Sequence, residues 1–204
     1  NLGQILFSDS VLIAEGDTEK HVLPTLFQSV TGKTLGESKL ALVIATGSPN
    51  IPGMLNILKE MNIPARALVD LDFAFTVAKK KELIDKDHPA IENCLNILEQ
   101  IQPDHGFRLN GRMPTGGDGF KASDIYELLA EQADSKEDIS KLHEHFKGSS
   151  IWLWTLGAIE PHLCLEAKET GEWYKFKQKL MSEPLDEVLV DEEHISSFIG
   201  WCQE

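Results

Sequence analysis

Three short apolar runs, separated by two amphipathic stretches, occupy the first part of the chain and set its fold. Val11 to Ala14 is apolar throughout and stops at Glu15 and Gly16, the pattern of a buried strand followed by a turn. Beyond it, Val22, Leu23, Leu26, Phe27 and Val30 recur at helical spacing, with Asp17 as the expected N-cap and Gly32 as the stop. Leu40 to Ala45 repeats the strand pattern and ends in the turn formers Thr46 to Asn50. Met54, Leu55, Ile57, Leu58 and Met61 then trace a second helix over 51–61. After a turn at Asn62 to Pro64, Ala65 to Val69 is a third strand, ending on Asp70, Leu71 and Asp72. Strand, helix, strand, helix, strand over so short a span predicts right-handed crossovers onto a parallel sheet.

Open sheets of this kind hold their ligands at the carboxyl ends of the strands. A carboxylate at such a place must be solvated, paired or bound to metal, because burying it alone is too costly. Five groups qualify: Glu15, Glu19, Asp70, Asp72 and Glu160. Glu15 and Glu19 are four apart, hence one turn from each other across a helix start. Asp70 and Asp72 are two apart and share a face if the strand continues that far. Several like charges converging on one crevice repel unless cations neutralise them, and Mg²⁺ or Mn²⁺ prefers this all-oxygen shell. Plainer readings compete. An Asp-x-Asp pair often caps a helix, and Glu19 suits the positive end of a helix dipole. The acidic stretch Asp186 to Glu193 reads as a solvated face. His143 and His145, two apart on a helix, point in different directions, and the histidines as a set show no liganding pattern.

The stretch 78–147 is helix-rich and charged, with a turn-prone centre at 102–119. Asn110, Gly111 and the glycine-rich segment 115–119 predict an irregular loop there. Ala122 to Ala130 reads as helix, Ile151 to Trp154 as a strand closing on Thr155 to Glu160, and the chain after Pro161 as mostly helical. The expected organisation is a catalytic core at 5–77 and 148–165, a helix-rich insertion at 78–147 and a C-terminal helical segment at 166–204.

Net charge is the discordant quantity. With 19 Lys and Arg against 33 Asp and Glu, the chain carries −14 at neutral pH. A protein that grips nucleic acid through charge alone is basic. DNA affinity therefore needs either bound cations that reverse the local sign or a DNA-binding surface elsewhere. No apolar run approaches the roughly 20 residues that span a bilayer, and no signal peptide is visible. Cys94, Cys164 and Cys202 are odd in number and far apart, so neither a disulfide framework nor a zinc motif is expected. A cytoplasmic protein is the expectation, and the abrupt start suggests a fragment of a longer polypeptide.

The string Val11 to Glu19, with Glu15 and Glu19 in a Glu-Gly-x-x-Glu pattern, followed by Ala67 to Asp72, resembles the Toprim domain. It is most similar to the C-terminal Toprim nuclease of the OLD (overcoming lysogenization defect) family. Gly157 to Glu160 matches the later Gly-x-x-Glu of that family, although Ala158 stands where a hydroxyl-bearing residue is expected. The resemblance implies an α/β, Rossmann-like Toprim core with a mostly parallel sheet flanked by helices, plus a helical insertion or appendage. It further implies a Mg²⁺- or Mn²⁺-dependent DNA endonuclease that uses two ions. By this likeness Glu19, Asp70, Asp72 and Glu160 are metal ligands, and Glu15 is either a ligand or a general acid/base. Glu15, Asp70 and Asp72 form the catalytic set. OLD nucleases also use a basic residue in the transition state, for which Lys175, Lys177 and Lys179 are the candidates, matched to no motif. An N-terminal ABC-type ATPase and homo-oligomerisation of the full-length protein are implied partners. Nothing in this chain fits the phosphate-binding Gly-x-x-x-x-Gly-Lys-Ser/Thr pattern, since Ala45 to Ser48 lacks the lysine.

Other functions remain on the table. Strand passage needs a nucleophilic tyrosine, and Tyr126 and Tyr174 have no recognisable context. Primer synthesis is another Toprim activity. A non-catalytic metal-binding regulatory or protein-docking module suits the charge of −14. A sugar-nucleotide transferase using Asp-x-Asp leaves Glu15 and Glu19 unexplained.

Overall fold

The computed structural model describes residues 2–117 and 119–204; Asp118, within the expected loop at 115–119, lies outside the described residues. From residue 2 the order is α1 (Leu2–Leu6), β1 (Ser10–Ala14), α2 (Asp17–Thr31), β2 (Leu40–Ile44), α3 (Ile51–Glu60) and β3 (Ala65–Val69). Then follow α4 (Asp72–Phe75), α5 (Val77–Lys80), α6 (Pro89–His105), the strands β4 (Arg108–Asn110) and β5 (Met113–Thr115), α7 (Ala122–Glu131) and α8 (Lys136–Lys147). The last elements are β6 (Ile151–Leu153), α9 (Ile159–His162), α10 (Thr170–Ser182), α11 (Leu185–Val188) and α12 (Glu192–Gln203). No described helix is long and apolar enough to cross a membrane.

The chain divides into two compact units, residues 1–68 with 159–204 and residues 69–158. The first is organised by β1, which pairs in parallel with β2 (Ser10 opposite Leu40, Ala14 opposite Ile44) and with β3 (Val11 opposite Ala65, Ile13 opposite Ala67). A strand with neighbours on both sides and helices over its faces has no polar face to offer. Val11, Leu12, Ile13 and Ala14 are accordingly at most 2% exposed. Parallel neighbours need crossovers, which α2 and α3 supply. Helix α2 buries Val22, Leu23, Leu26 and Phe27 along one face, each contributing about 1.5–3 kcal/mol of transfer free energy. Trp173, Phe176 and Leu180 of α10 and Ile195, Phe198 and Ile199 of α12 are buried in the same unit, whose helices pack on α2. Gly32 ends α2 as expected, adopting a left-handed φ of 72° so that its N–H reaches Gln28 O at 2.8 Å.

The four-stranded sheet has the order β2-β1-β3-β6. The chain leaves the first unit within β3, so β6 meets the end of β3 that belongs to its own unit: Trp154 N–H donates to Val69 O at 3.0 Å. The second unit packs α6, α7 and α8 around Ile91, Leu98, Ile125, Leu129, Leu142 and Phe146. His143 is buried with its Nδ1 2.8 Å from Leu153 O, while the exposed His145 reaches Leu83 O, so the two point apart as expected.

The segment 102–115 departs from the expected irregular loop. Helix α6 runs on through Pro103 to His105, and β4 and β5 then form an antiparallel hairpin turning at Gly111, whose φ is 62°. Arg112 explains the order. Its guanidinium donates to Glu92 Oε2 and Glu99 Oε1, both at 2.6 Å, and to Asn96 Oδ1. Those three acceptors share one face of α6 by their spacing, and the planar fork of arginine spans them.

One glycine in the second unit is sterically required. Gly157 has φ 101°, and a Cβ there would lie 2.7 Å from Glu127 Cγ and 2.9 Å from Glu127 Cα. Its carbonyl accepts from Leu71 N–H at 2.7 Å, which fixes the backbone between Asp70 and Asp72. Gly157→Ala is therefore expected to lower unfolding free energy by about 2–3 kcal/mol, from overpacking plus a disfavoured φ. Gly53→Ala, in open space inside α3, should instead be neutral or raise it by up to about 1 kcal/mol. Urea denaturation of the two variants side by side checks both; equal effects would refute the steric account.

Candidate functional site

The first acidic group grows from the end of β1. Ala45 N–H donates to Ala14 O at 2.8 Å and Gly47 N–H to Glu15 O at 3.1 Å, so the turn after β2 fastens the backbone where Glu15 stands, half-buried. Gly16 follows as the N-cap of α2, with extended backbone. Asp17, expected in that role, is instead the first helical residue, exposed and ion-paired with Lys20 at 3.7 Å. The reason is Glu19. It reaches back so that its Oε2 accepts from Gly16 N–H at 3.2 Å, which satisfies an open helix-start donor without help from Asp17.

Two further residues converge there from elsewhere in the first unit. Thr18 Oγ1 donates to Oε1 of Glu160, on α9, at 2.6 Å, with both residues buried. Lys168 Nζ lies 3.3 Å from Glu160 Oε2. Burial pushes the Glu19 carboxyl up to about 7, a backbone N–H opposes the rise, the negative charges of Glu160 and Glu15 add to it, and Lys168 offsets part of it. The structure thus brings Glu15, Glu19 and Glu160 into one electrostatic group. Burial is the main reason the Glu19 carboxyl is pushed up, and the neighbouring negative charges add to it. Among the described residues no three His, Cys, Asp or Glu side chains are placed so that together they could hold a metal ion. The donor set nevertheless suits a hard divalent ion: carboxylate oxygens, at least one buried.

Asp70 and Asp72 belong to the second unit. Both are half-buried, but the strand does not continue far enough for alternation to put them on one face. It ends at Val69, Phe73 N–H closes a turn on Asp70 O at 3.1 Å, and Asp72 is already the first residue of α4. Thr76 Oγ1 donates to Asp72 O at 2.8 Å and holds that turn. Tyr126 of α7 is buried against Phe75, its hydroxyl without a hydrogen-bond partner among the described residues. Burial first, and then the nearby Asp72 charge, hold its phenol far above the ordinary range. A phenol so reluctant to ionise is a poor nucleophile, which weighs against strand passage through Tyr126.

Lys175, Lys177 and Lys179 lie on α10. Lys175 donates to Glu172 Oε1 at 2.6 Å on the surface, and Lys179 also acts on that glutamate. The cation that stands beside the buried glutamates is Lys168, in the segment between α9 and α10. Sequence reasoning missed it, because a lone lysine in a connecting segment has no pattern; its one signal was its nearness in sequence to Glu160. The acidic stretch Asp186 to Glu193 is solvated where expected, with Asp186, Glu187, Asp191, Glu192 and Glu193 all exposed.

The fold is thus α/β, with β1 paired in parallel to β2 and β3, a glutamate turn after β1 and Asp-x-Asp after β3. Residues 6–72 match the family model for the overcoming lysogenization defect protein-like TOPRIM domain. Across 207 aligned residues it is 28% identical to the Old nuclease of Escherichia phage P2, covering 98% of this chain and 34% of that protein. The chain thus spans about a third of the length of that relative. The C-terminal region of the Xanthomonas campestris pv. campestris OLD protein aligns at 17% identity over 98% of this chain and 82% of its own, with a TM-score of 0.40. That of the Burkholderia pseudomallei OLD protein aligns at 12% identity over 97% and 88%, also with a TM-score of 0.40.

Proposed function

We propose that this chain is the Toprim domain of a divalent-metal-dependent DNA endonuclease, hydrolysing phosphodiester bonds with two Mg²⁺ or Mn²⁺ ions. The observation that supports the reading is the grouping of carboxylates at the start of α2: Glu19 and Glu160 are buried, Glu160 is held by Thr18, and burial, with the charges of Glu160 and Glu15 adding to it, pushes the Glu19 carboxyl up to about 7. In the proposal Glu15, Glu19 and Glu160 are ligands, and Asp70 and Asp72 join them on the strength of their place in the Toprim motif. When bound, such ions lower the pKa of an attacking water and offset charge on the leaving oxygen. The chain's own part is to hold the carboxylates ionised and oriented, with Glu15 either ligating or moving the proton. The additional transition-state cation is proposed among Lys175, Lys177 and Lys179. The catalytic core is taken as 5–77 with 148–165, the stretch 78–147 as an insertion and 166–204 as a C-terminal helical segment. The rest of a protein of the relative's length has room for an ABC-type ATPase and for homo-oligomer contacts, and a reducing cytoplasm suits the three free cysteines.

Incubating the chain with supercoiled plasmid in low salt tests this. Nicked circles are expected with Mg²⁺ or Mn²⁺ and none with EDTA. A folded chain that nicks under neither metal overturns the nuclease reading. One observation favours a second reading: the charge of −14 suits a metal-binding protein-docking module without catalysis, for which calorimetry would show ion binding with no cleavage.

A further inference from the structure

We propose that Lys168 is a tethered counter-cation that occupies Glu160 Oε2 until a divalent ion displaces it, and that Thr18 is the positioning residue that keeps Glu160 aimed while this exchange happens. The inference rests on the metal reading above and concerns only residues of the first unit. Glu160 offers two oxygens, used differently. Oε1 accepts from the Thr18 hydroxyl at 2.6 Å, a short charge-assisted bond between two buried groups on α2 and α9. Oε2 faces Lys168 Nζ at 3.3 Å. The partners of that second contact are unequal: the Lys168 side chain is 51% exposed and the Glu160 side chain 6%. One end is therefore fixed in the protein while the other is a long, flexible stem reaching in from solvent. Lys168 also sits between α9 and α10 rather than within either, so its withdrawal need not unravel a helix. Thr18 differs on each count. It is buried in the first turn of α2, between Glu15 and Glu19 in sequence. An ammonium and a divalent ion cannot share one carboxylate oxygen without strong repulsion, so one must leave. The mobile partner is Lys168.

Mn²⁺ titrations of the 204-residue chain, by calorimetry and by loss of the free-ion electron-paramagnetic-resonance signal, test the exchange. Lys168→Met keeps the stem and removes the charge; it is expected to tighten Mn²⁺ about fivefold, the scale of a part-exposed ion pair. Lys168→Arg keeps the competitor and should bind as wild type does. Thr18→Val should weaken binding about tenfold through loss of a hydrogen bond to a charged group, and Thr18→Ser should restore it, with melting curves confirming that each variant folds. Tighter binding in Lys168→Met with wild-type binding in Lys168→Arg supports the proposal, as does binding by Lys168→Met when wild type binds nothing. Unchanged or weaker binding in Lys168→Met overturns it and leaves the metal reading standing, because wild type still binds. If neither chain binds Mn²⁺, the metal reading and this inference fall together. A Thr18→Ser chain no better than Thr18→Val removes Thr18 from the mechanism.

Discussion

Asp70→Ala should reduce plasmid nicking by about a thousandfold while the chain still folds. The size follows from the chemistry proposed. Losing one carboxylate from a metal site removes several kcal/mol of transition-state stabilisation, and about 4 kcal/mol corresponds to a factor of 10³ in rate. Folding should tolerate the change for a local reason. The turn after β3 depends on backbone groups, Phe73 N–H on Asp70 O and Leu71 N–H on Gly157 O, and alanine retains all of them. Asp70 is also half-buried rather than buried, so its truncation opens little space. Nicked fraction against time at saturating Mn²⁺, together with a thermal melt, is the measurement. Activity within tenfold of wild type in a folded variant would remove Asp70 from the catalytic set.

Glu19→Gln should raise the stability of the metal-free chain at pH 8 by up to about 3 kcal/mol and abolish a slope that wild type shows at lower pH. The folded chain holds the Glu19 proton to about pH 7, whereas the unfolded chain releases it near the model-compound value of 4.5. Between these values the native state binds more protons than the unfolded state, so stability falls as pH rises. The contribution is at its best below 4.5 and is lost once pH passes about 7. A shift of this size at about 1.4 kcal/mol per unit gives the 3 kcal/mol. Glutamine removes the ionisation while keeping an oxygen for Gly16 N–H. If Glu19 is a ligand as proposed, Mn²⁺ affinity should fall about tenfold per unit below pH 7, since the ion would compete with one proton. Urea denaturation at pH 5 and pH 8 compares the two chains. Parallel behaviour would show that Glu19 is not the titrating group.

Much of the first unit was legible because its signals are local. Ala65 to Val69 could be read residue for residue as a strand, since a short, mostly apolar run between the turn at Pro64 and two aspartates admits few alternatives, and Gly32 marked the end of α2 by its own conformational freedom. The misread details all depend on partners distant in sequence or on side chains reaching back. Asp17 looked like a cap because capping oxygens are usually supplied by that residue type; nothing local announces that Glu19 will serve Gly16 instead. The alternation assumed for Asp70 and Asp72 failed because Gly157, far along the chain, holds Leu71 while a helical turn begins. The hairpin at 108–115 was hidden because its anchor, Arg112, acts on carboxylates and an amide of α6 that look like ordinary surface residues. The acidic residues could be named as candidates from the sequence, whereas the threonine and lysine that contact Glu160 could not.

The contact between Gly16 and Glu19 has a consequence for how ion loading would be felt inside the protein. One carboxylate oxygen serves as the clasp on the first turn of α2, and the same carboxyl is offered to the cation. In the proposed site, ligation and helix initiation would draw on a single side chain, which has one carboxylate oxygen for each. If the proposed ion binds there, the opening of α2, on which α10 and α12 lean, would lie next to the carboxyl that takes it.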